Sequence, residues 1–219
     1  MNINKLLRFV HLFYSLATEE ELPENSKDIK IILKNIENLE TFNARKKYAE
    51  KNLEHLSSGS SRIVYLTPGK TVIKLAKNNK GLAQNKAESN KDMKSKFLNE
   101  ILGQAANNAW LETCFLDKIT PKQFEEMVGI KFDDFGDAIR YGLRKVSENS
   151  DLTKPKEFDK VEKTEIYKEM KRIGERFHLM PGDIARISSW GCKDKRPILI
   201  DSGLTSEIFE DFYEDSSLS

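Results

Sequence analysis

Lys74 interrupts the apolar run Val72, Ile73, Leu75, Ala76, and no opposite charge stands beside it in the chain. A cation inside a buried strand is costly unless an anion meets it there. Upstream, "SSGSS" sets Ser58, Gly59 and Ser60 in a small-residue loop. Backbone N–H groups of such a loop can approach anionic oxygens closely while a lysine on a nearby strand neutralises them. Glu88, fourteen residues beyond Lys74, lies in a stretch of helical character and can fold back as its ion-pair partner. Asp201 closes the aliphatic run "ILID" and precedes Ser202 and Gly203. A carboxylate emerging at such a strand end suits Mg²⁺, which takes one or two carboxylates together with phosphate oxygens. Asp183, eighteen residues earlier, follows a helix, and a hairpin between the two would bring both carboxylates to one cleft. One could hold metal while the other orients or deprotonates a hydroxyl. Each residue also has a plainer reading: Lys74 as a snorkelling strand lysine, Glu88 as a solvated helix residue, Asp183 and Asp201 as turn residues.

The elements that must position these groups follow from hydrophobic periodicity. Leu6, Val10, Phe13 and Ala17, and then Ile29, Ile32, Leu33, Ile36 and Leu39, recur at helical spacing, giving two amphipathic helices that pack on the rest of the chain. From Lys51 the texture becomes that of strands: "LEHL", "RIVYLT" and "TVIKLA", the last two joined by the turn "PGK". "NNKGLAQNKAESNKDMKSKFLNEIL" reads as one helix, "AWLETCFLDKI" as strand, and "TPKQFEEMVGI" as a helix opening at Thr120 and Pro121. "DDFGDAIRYGLRKVS" and "TEIYKEMKRIGERFHLM" are helical, with "ENSDLTKPKEFDKVEK" an exposed loop between them. The segment from Pro181 reads as a loop, a short hairpin through "KDKR" and a buried strand, and the acidic tail "EDFYEDSSLS" as frayed. Trp110 and Trp190 are expected to pack in cores. Arg186 is either a phosphate ligand or an exposed loop residue.

Composition excludes several classes. The 38% hydrophobic and 32% charged residues describe a globular chain, and 36 basic against 35 acidic side chains give no general electrostatic reason to bind nucleic acid or acidic lipid. Cys114 and Cys192 are far apart and the histidines His11, His55 and His178 are scattered, so neither a disulfide framework nor a zinc site is expected. "LLRFVHLFYSLA" is interrupted by Arg8 and His11, and no run reaches membrane-spanning length. A reducing cytoplasmic setting without membrane association is the expectation.

The order of small-residue loop, strand lysine, helix glutamate, loop aspartate and strand-end aspartate resembles the protein-kinase-like superfamily, over roughly residues 51 to 205. "SSGSS" stands for its Gly-rich loop, "TVIK" for its lysine strand, "GDIARISSW" for its catalytic loop and "IDSG" for its metal-binding motif. More loosely, "KLAKNNKGLAQN" and "SSWG…LIDSGLT" are similar to small kinase-like proteins of tailed bacteriophages, whose setting would be the host cytoplasm. The resemblance implies an α+β bilobal fold with a small antiparallel-sheet lobe over a truncated helical lobe. The divisions are 1–50 (helical extension), 51–119 and 120–219. ATP with Mg²⁺ would lie between the lobes, with Ser58, Gly59, Ser60 and Lys74 on the phosphates and Glu88 holding Lys74. Asp201 with Ser188 or Ser189 would hold metal, and Asp183 would be the base or hydroxyl-orienting residue. The activity implied is phosphoryl transfer to a hydroxyl, on a protein substrate among other candidates, although adenylyl transfer stays open. The alternative is a nucleotide-binding pseudokinase that recruits a partner. Departures are plain: Pro181 and Gly182 replace the histidine and arginine before the loop aspartate, and Ser188 stands where the family has a metal-binding asparagine. The chain ends at Ser219, sixteen residues after Gly203, so docking of an extended peptide is not expected.

Overall fold

The structure is a computed structural model that describes residues 28–148 and 153–214. The first of the helices expected in the sequence therefore lies outside the described residues. Helix α1 (Ile29–Asn38) is capped by Asp28, whose carboxylate accepts from Lys30 N at 2.9 Å, and α2 (Phe42–Asn52) by Thr41, which accepts from Ala44 N at 3.1 Å. Strands β1 (Glu54–Ser58), β2 (Arg62–Leu66) and β3 (Thr71–Ala76) follow, then α3 (Asn79–Glu88), β4 (Ile101–Gln104) and β5 (Trp110–Cys114). These five strands form one antiparallel sheet in the order β1-β2-β3-β5-β4.

Alternation along the strands gives the sheet two different faces. Ile63, Tyr65, Ile73 and Leu75 join Ile32, Leu33, Ile36, Tyr48 and Ala49 in a single apolar core, so α1 and α2 cover one side of the sheet. Arg62, Val64, Val72 and Lys74 belong to the other face. Register fixes their neighbours: Val64 pairs with Lys74 and Arg62 with Ala76, which sets the two cations diagonally on one surface.

The helical region follows. Short β6 (Asp117–Lys118) leads to α4 (Pro121–Val128), which starts on the expected Thr120–Pro121 signal with a full capping box to Gln123 and stops at Gly129, φ 78°. The long helix α5 (Phe132–Glu148), α6 (Phe158–Val161), α7 (Glu165–Phe177) and the single turn α8 (Pro181–Ile184) come next. Phe124, Phe135, Ile139, Met170, Ile173 and Trp190 centre a second core. Strands β7 (Trp190–Lys193) and β8 (Arg196–Leu199) form the expected hairpin, whose turn residues Asp194 and Lys195 both have positive φ, as a two-residue type I′ turn requires. The fold is thus α+β, an antiparallel sheet followed by a helical region. Among the described residues no helix is long and apolar enough to cross a membrane.

Four expectations are corrected. The helix after Lys74 ends at Glu88: Asn90 accepts from Asp92 N and Ser95 from Phe97 N, so short polar side chains capture backbone donors that a helix would need. Ile101 begins a strand, although its side chain and Leu102 are exposed at the sheet edge. The polar segment before α7 contains the turn α6, whose Val161 is fully buried. The tail is helical through residues 206–214, as α9 (Ser206–Phe209) and a π turn (Glu210–Glu214), rather than frayed from its start.

Where α3 meets the sheet there is no room for a side chain. A Cβ on Gly81 would stand 2.2 Å from Ser61 O and 3.0 Å from Ala76 Cα, both backbone. Gly81→Ala is expected to cost about 1–3 kcal/mol in urea unfolding, because backbone cannot yield as a side-chain tip does. Gly182→Ala, with open space at its Cβ, should stay within about 0.5 kcal/mol.

Candidate functional site

The cleft-side face of the sheet carries a four-residue ion network, of which Lys74, Glu88 and Arg62 are buried and Asp201 is half-exposed. Lys74 Nζ donates to Glu88 Oε1 and, at 2.6 Å, to the carbonyl of Ile200. The lysine side chain is 8% exposed and the glutamate 3%, so the strand cation is answered by the α3 carboxylate. Glu88 has a second partner: Arg62 Nη1 donates to its Oε2 at 2.6 Å and to Asn85 Oδ1 at 3.3 Å. Arg62 Nη2 donates onward to Asp201 Oδ1. The chain of contacts Lys74, Glu88, Arg62, Asp201 links strand, helix, strand and the segment after β8, with two charges of each sign. Asn85 locks the frame by donating to the carbonyls of Lys74 (3.2 Å) and Asn108 (2.9 Å).

Sequence reasoning did not assign Arg62 a role. Its signal was present in the expected hairpin: once "RIVYL" pairs with "TVIKLA" across the turn, period-two alternation puts the arginine on the face of Lys74. The register, which the hydrophobic pattern alone leaves open, was the missing piece.

A cleft of about 820 Å³ opens on this network, lined by Gly59, Arg62, Lys74, Asp183, Ser188 and Asp201 among others. Ser58, the last residue of β1, and Ser60 line it too, at a loop tied down by Lys77, which donates to Gly59 O at 2.8 Å, and by Asn78, which donates to Ser60 O at 3.1 Å. Glu88 sits behind the lining, reaching it through Lys74 and Arg62. Ser189 does not line the cleft; it is buried, and its carbonyl accepts from Ile200 N at 2.8 Å. Val64, Val72, Leu116 and Leu204 supply apolar wall. Phe209 and Tyr213 of the C-terminal turns close one side, with the Tyr213 hydroxyl 3.4 Å from Ser60 Oγ and Lys80 Nζ 3.9 Å above its ring.

The two aspartates are set in opposite electrostatic surroundings. Burial works to raise the Asp201 carboxyl, but the Arg62 and Lys74 charges outweigh it, aided by hydrogen bonds from Arg62 and the Gly203 backbone, and hold it below the usual carboxylate range. Asp183 is pushed up, first by burial and then by the Asp201 charge, with Arg186 (3.6 Å away) and Arg62 pulling weakly against them. Arg62 is desolvated, yet Asp201 and Glu88 raise its already high value. A carboxyl depressed in the folded state contributes stability that is present above its unfolded pKa and lost as pH falls through its folded pKa. The stability gap between the wild type and Asp201→Asn should therefore narrow on acidification. The side chain is 48% exposed, so the gap at neutral pH is expected on the order of 1 kcal/mol, read from urea midpoints across an acid series.

The residues were also expected to hold Mg²⁺, and here they do not fit. Asp201 Oδ1 accepts from Arg62, so a fixed cation already stands at that carboxylate. Of the two serines offered to complete the shell, only Ser188 reaches the cleft. Among the described residues no group of three or more His, Cys, Asp or Glu is placed to hold a metal ion.

The sequence matches no protein-family model and no curated protein. Among solved structures, the chain is similar to that of a streptomycin–ATP–APH(2″)-IIa ternary complex, at 15% identity and a TM-score of 0.36, over 76% of this chain and 71% of that one.

Proposed function

We propose that the cleft binds ATP and that the protein transfers its terminal phosphoryl group to a hydroxyl acceptor. The observation that carries this reading is the buried Lys74–Glu88 pair opening on a cleft where Asp183 and Asp201, both more than a hundred residues after Lys74, also arrive. Lys74 neutralises phosphate oxygens while Glu88 keeps it oriented, the Ser58–Gly59–Ser60 loop covers them, and apolar wall suits a flat base. Asp183 accepts the hydroxyl proton as the oxygen attacks; ADP leaves with the electron pair of the broken bond. The sheet lobe is taken as 51–119 and the helical lobe as 120–219. A protein hydroxyl is one acceptor class.

ATP at about a hundred times its Kd should stabilise the fold by about 2.7 kcal/mol, a melting shift of about 5–10 °C for a chain of this size. A flat titration retires the reading. A second reading, a nucleotide-binding module without catalysis, is favoured by one observation: Arg62 occupies the carboxylate to which the family resemblance assigns metal. Label transfer from ATP radiolabelled on its γ-phosphate separates the two. Binding without transfer selects the second.

A further inference from the structure

We propose that Arg62 is a built-in counter-cation, standing beside Asp201 in place of a divalent metal, so that the cleft takes a nucleoside polyphosphate without Mg²⁺. The inference rests on the nucleotide reading above and concerns how that ligand's charge is met. Three hydrogen bonds fix the guanidinium, to Glu88 Oε2, Asn85 Oδ1 and Asp201 Oδ1, and the side chain is 7% exposed. It springs from β2, which pairs with the strand of Lys74, so both cations are held by the same two strands.

A metal at Asp201 faces two alternatives. Sharing the carboxylate sets a dication against a guanidinium at contact range, with the desolvated Lys74 ammonium close by. Displacing the guanidinium leaves a buried arginine short of a partner, which a protein interior tolerates poorly. An incoming polyphosphate meets neither obstacle. A guanidinium offers five N–H donors and an ammonium three. The hydrogen bonds described occupy three on Arg62 and two on Lys74, so both cleft-lining cations keep donors for phosphate oxygens. The donors left on Arg62, one on Nη2 and the Nε–H, lie along the same edge of the planar guanidinium and suit two phosphate oxygens, a task that a magnesium ion otherwise performs by bridging them. Lys118 and Arg186 line the same cleft and add positive charge for the outer phosphates.

The test is calorimetric titration of the full chain with ATP, once in excess Mg²⁺ and once in EDTA. The two dissociation constants should agree within about threefold, and Arg62→Met, which frees the Asp201 carboxylate, should bind at least about tenfold tighter with Mg²⁺ than without. Arg62→Lys, which keeps the charge, should still bind in EDTA. ATP binding by the wild type in Mg²⁺ but not in EDTA overturns the inference and leaves the nucleotide reading standing. Binding in neither buffer overturns the nucleotide reading itself, and this inference with it. Should Arg62→Met not fold, the wild-type pair of titrations decides alone.

Discussion

Asp183→Asn is expected to lower phosphoryl transfer by about 10²–10⁴-fold while changing ATP affinity by no more than about threefold, the signature of a lost proton acceptor rather than a lost ligand. Asparagine keeps the size and one oxygen but cannot take the proton from a hydroxyl. The residue suits that task physically. It sits on the single turn α8, started by Pro181, with its side chain 18% exposed and facing the cleft shared with Asp201. Burial first and the Asp201 charge second hold its pKa above the ordinary aspartate range, so its carboxylate is a better base than a solvated one. The rate should rise with pH through that raised value and level off once Asp183 is ionised. Asp201→Asn removes one of the raising influences and frees Arg62 from its partner, so the acid limb of the profile should move to lower pH. A pH profile that Asp183→Asn leaves in place with undiminished rate removes Asp183 from the chemistry.

How much of this was legible beforehand depended on whether local pattern sufficed. Thr120 and Pro121 start α4 because a cap and an N1 proline act within one turn, and the "KDKR" hairpin forms because its two left-handed residues lie between short apolar runs. The existence of β3 and of a helix carrying Glu88 was readable for the same reason. What local pattern could not supply was register. Whether Arg62 or Ile63 shares the face of Lys74 turns on a single step of strand pairing, and only the assembled sheet fixes it. The same limit explains β4, whose exposed Ile101 and Leu102 alternate with no buried face of their own, and Val161, whose burial comes from helices α5 and α7 rather than from its own polar segment. Asp201 was readable as an unusual residue at the end of an aliphatic run, but its partner was not. Glycine at 203 belongs with it: a Cβ there would stand 2.8 Å from Gln84 O and 3.2 Å from Arg62 Nη1, so the segment after β8 can approach α3 only because this residue has no side chain.

Glu88→Ala is expected to be the most destabilising single change in the network, by about 3–5 kcal/mol in urea unfolding. Glu88 is the common anion of two buried cations, with Lys74 on one oxygen and Arg62 on the other. Removing it leaves both with their charge and their low exposure. Asp201 compensates poorly because it is half-exposed and reaches only Arg62 directly. Loss of one cation is milder: Lys74→Met leaves Glu88 paired with Arg62, and its methylene-like stem refills part of the strand face. Arg62→Met should fall between the two, since it unpairs Asp201 at the surface and takes the donor from Asn85 Oδ1 inside while Lys74 still answers Glu88. A domain of this kind commands only about 5–15 kcal/mol in total, so Glu88→Ala takes a large fraction of it. Glu88→Gln, which keeps the shape but only one acceptor oxygen and turns its amide N–H₂ toward the other cation, should recover the packing part of the loss and little of the electrostatic part. A loss below about 1 kcal/mol for Glu88→Ala would show that the two cations do not depend on this carboxylate, and the account of Lys74 as a strand cation held by α3 would have to be given up.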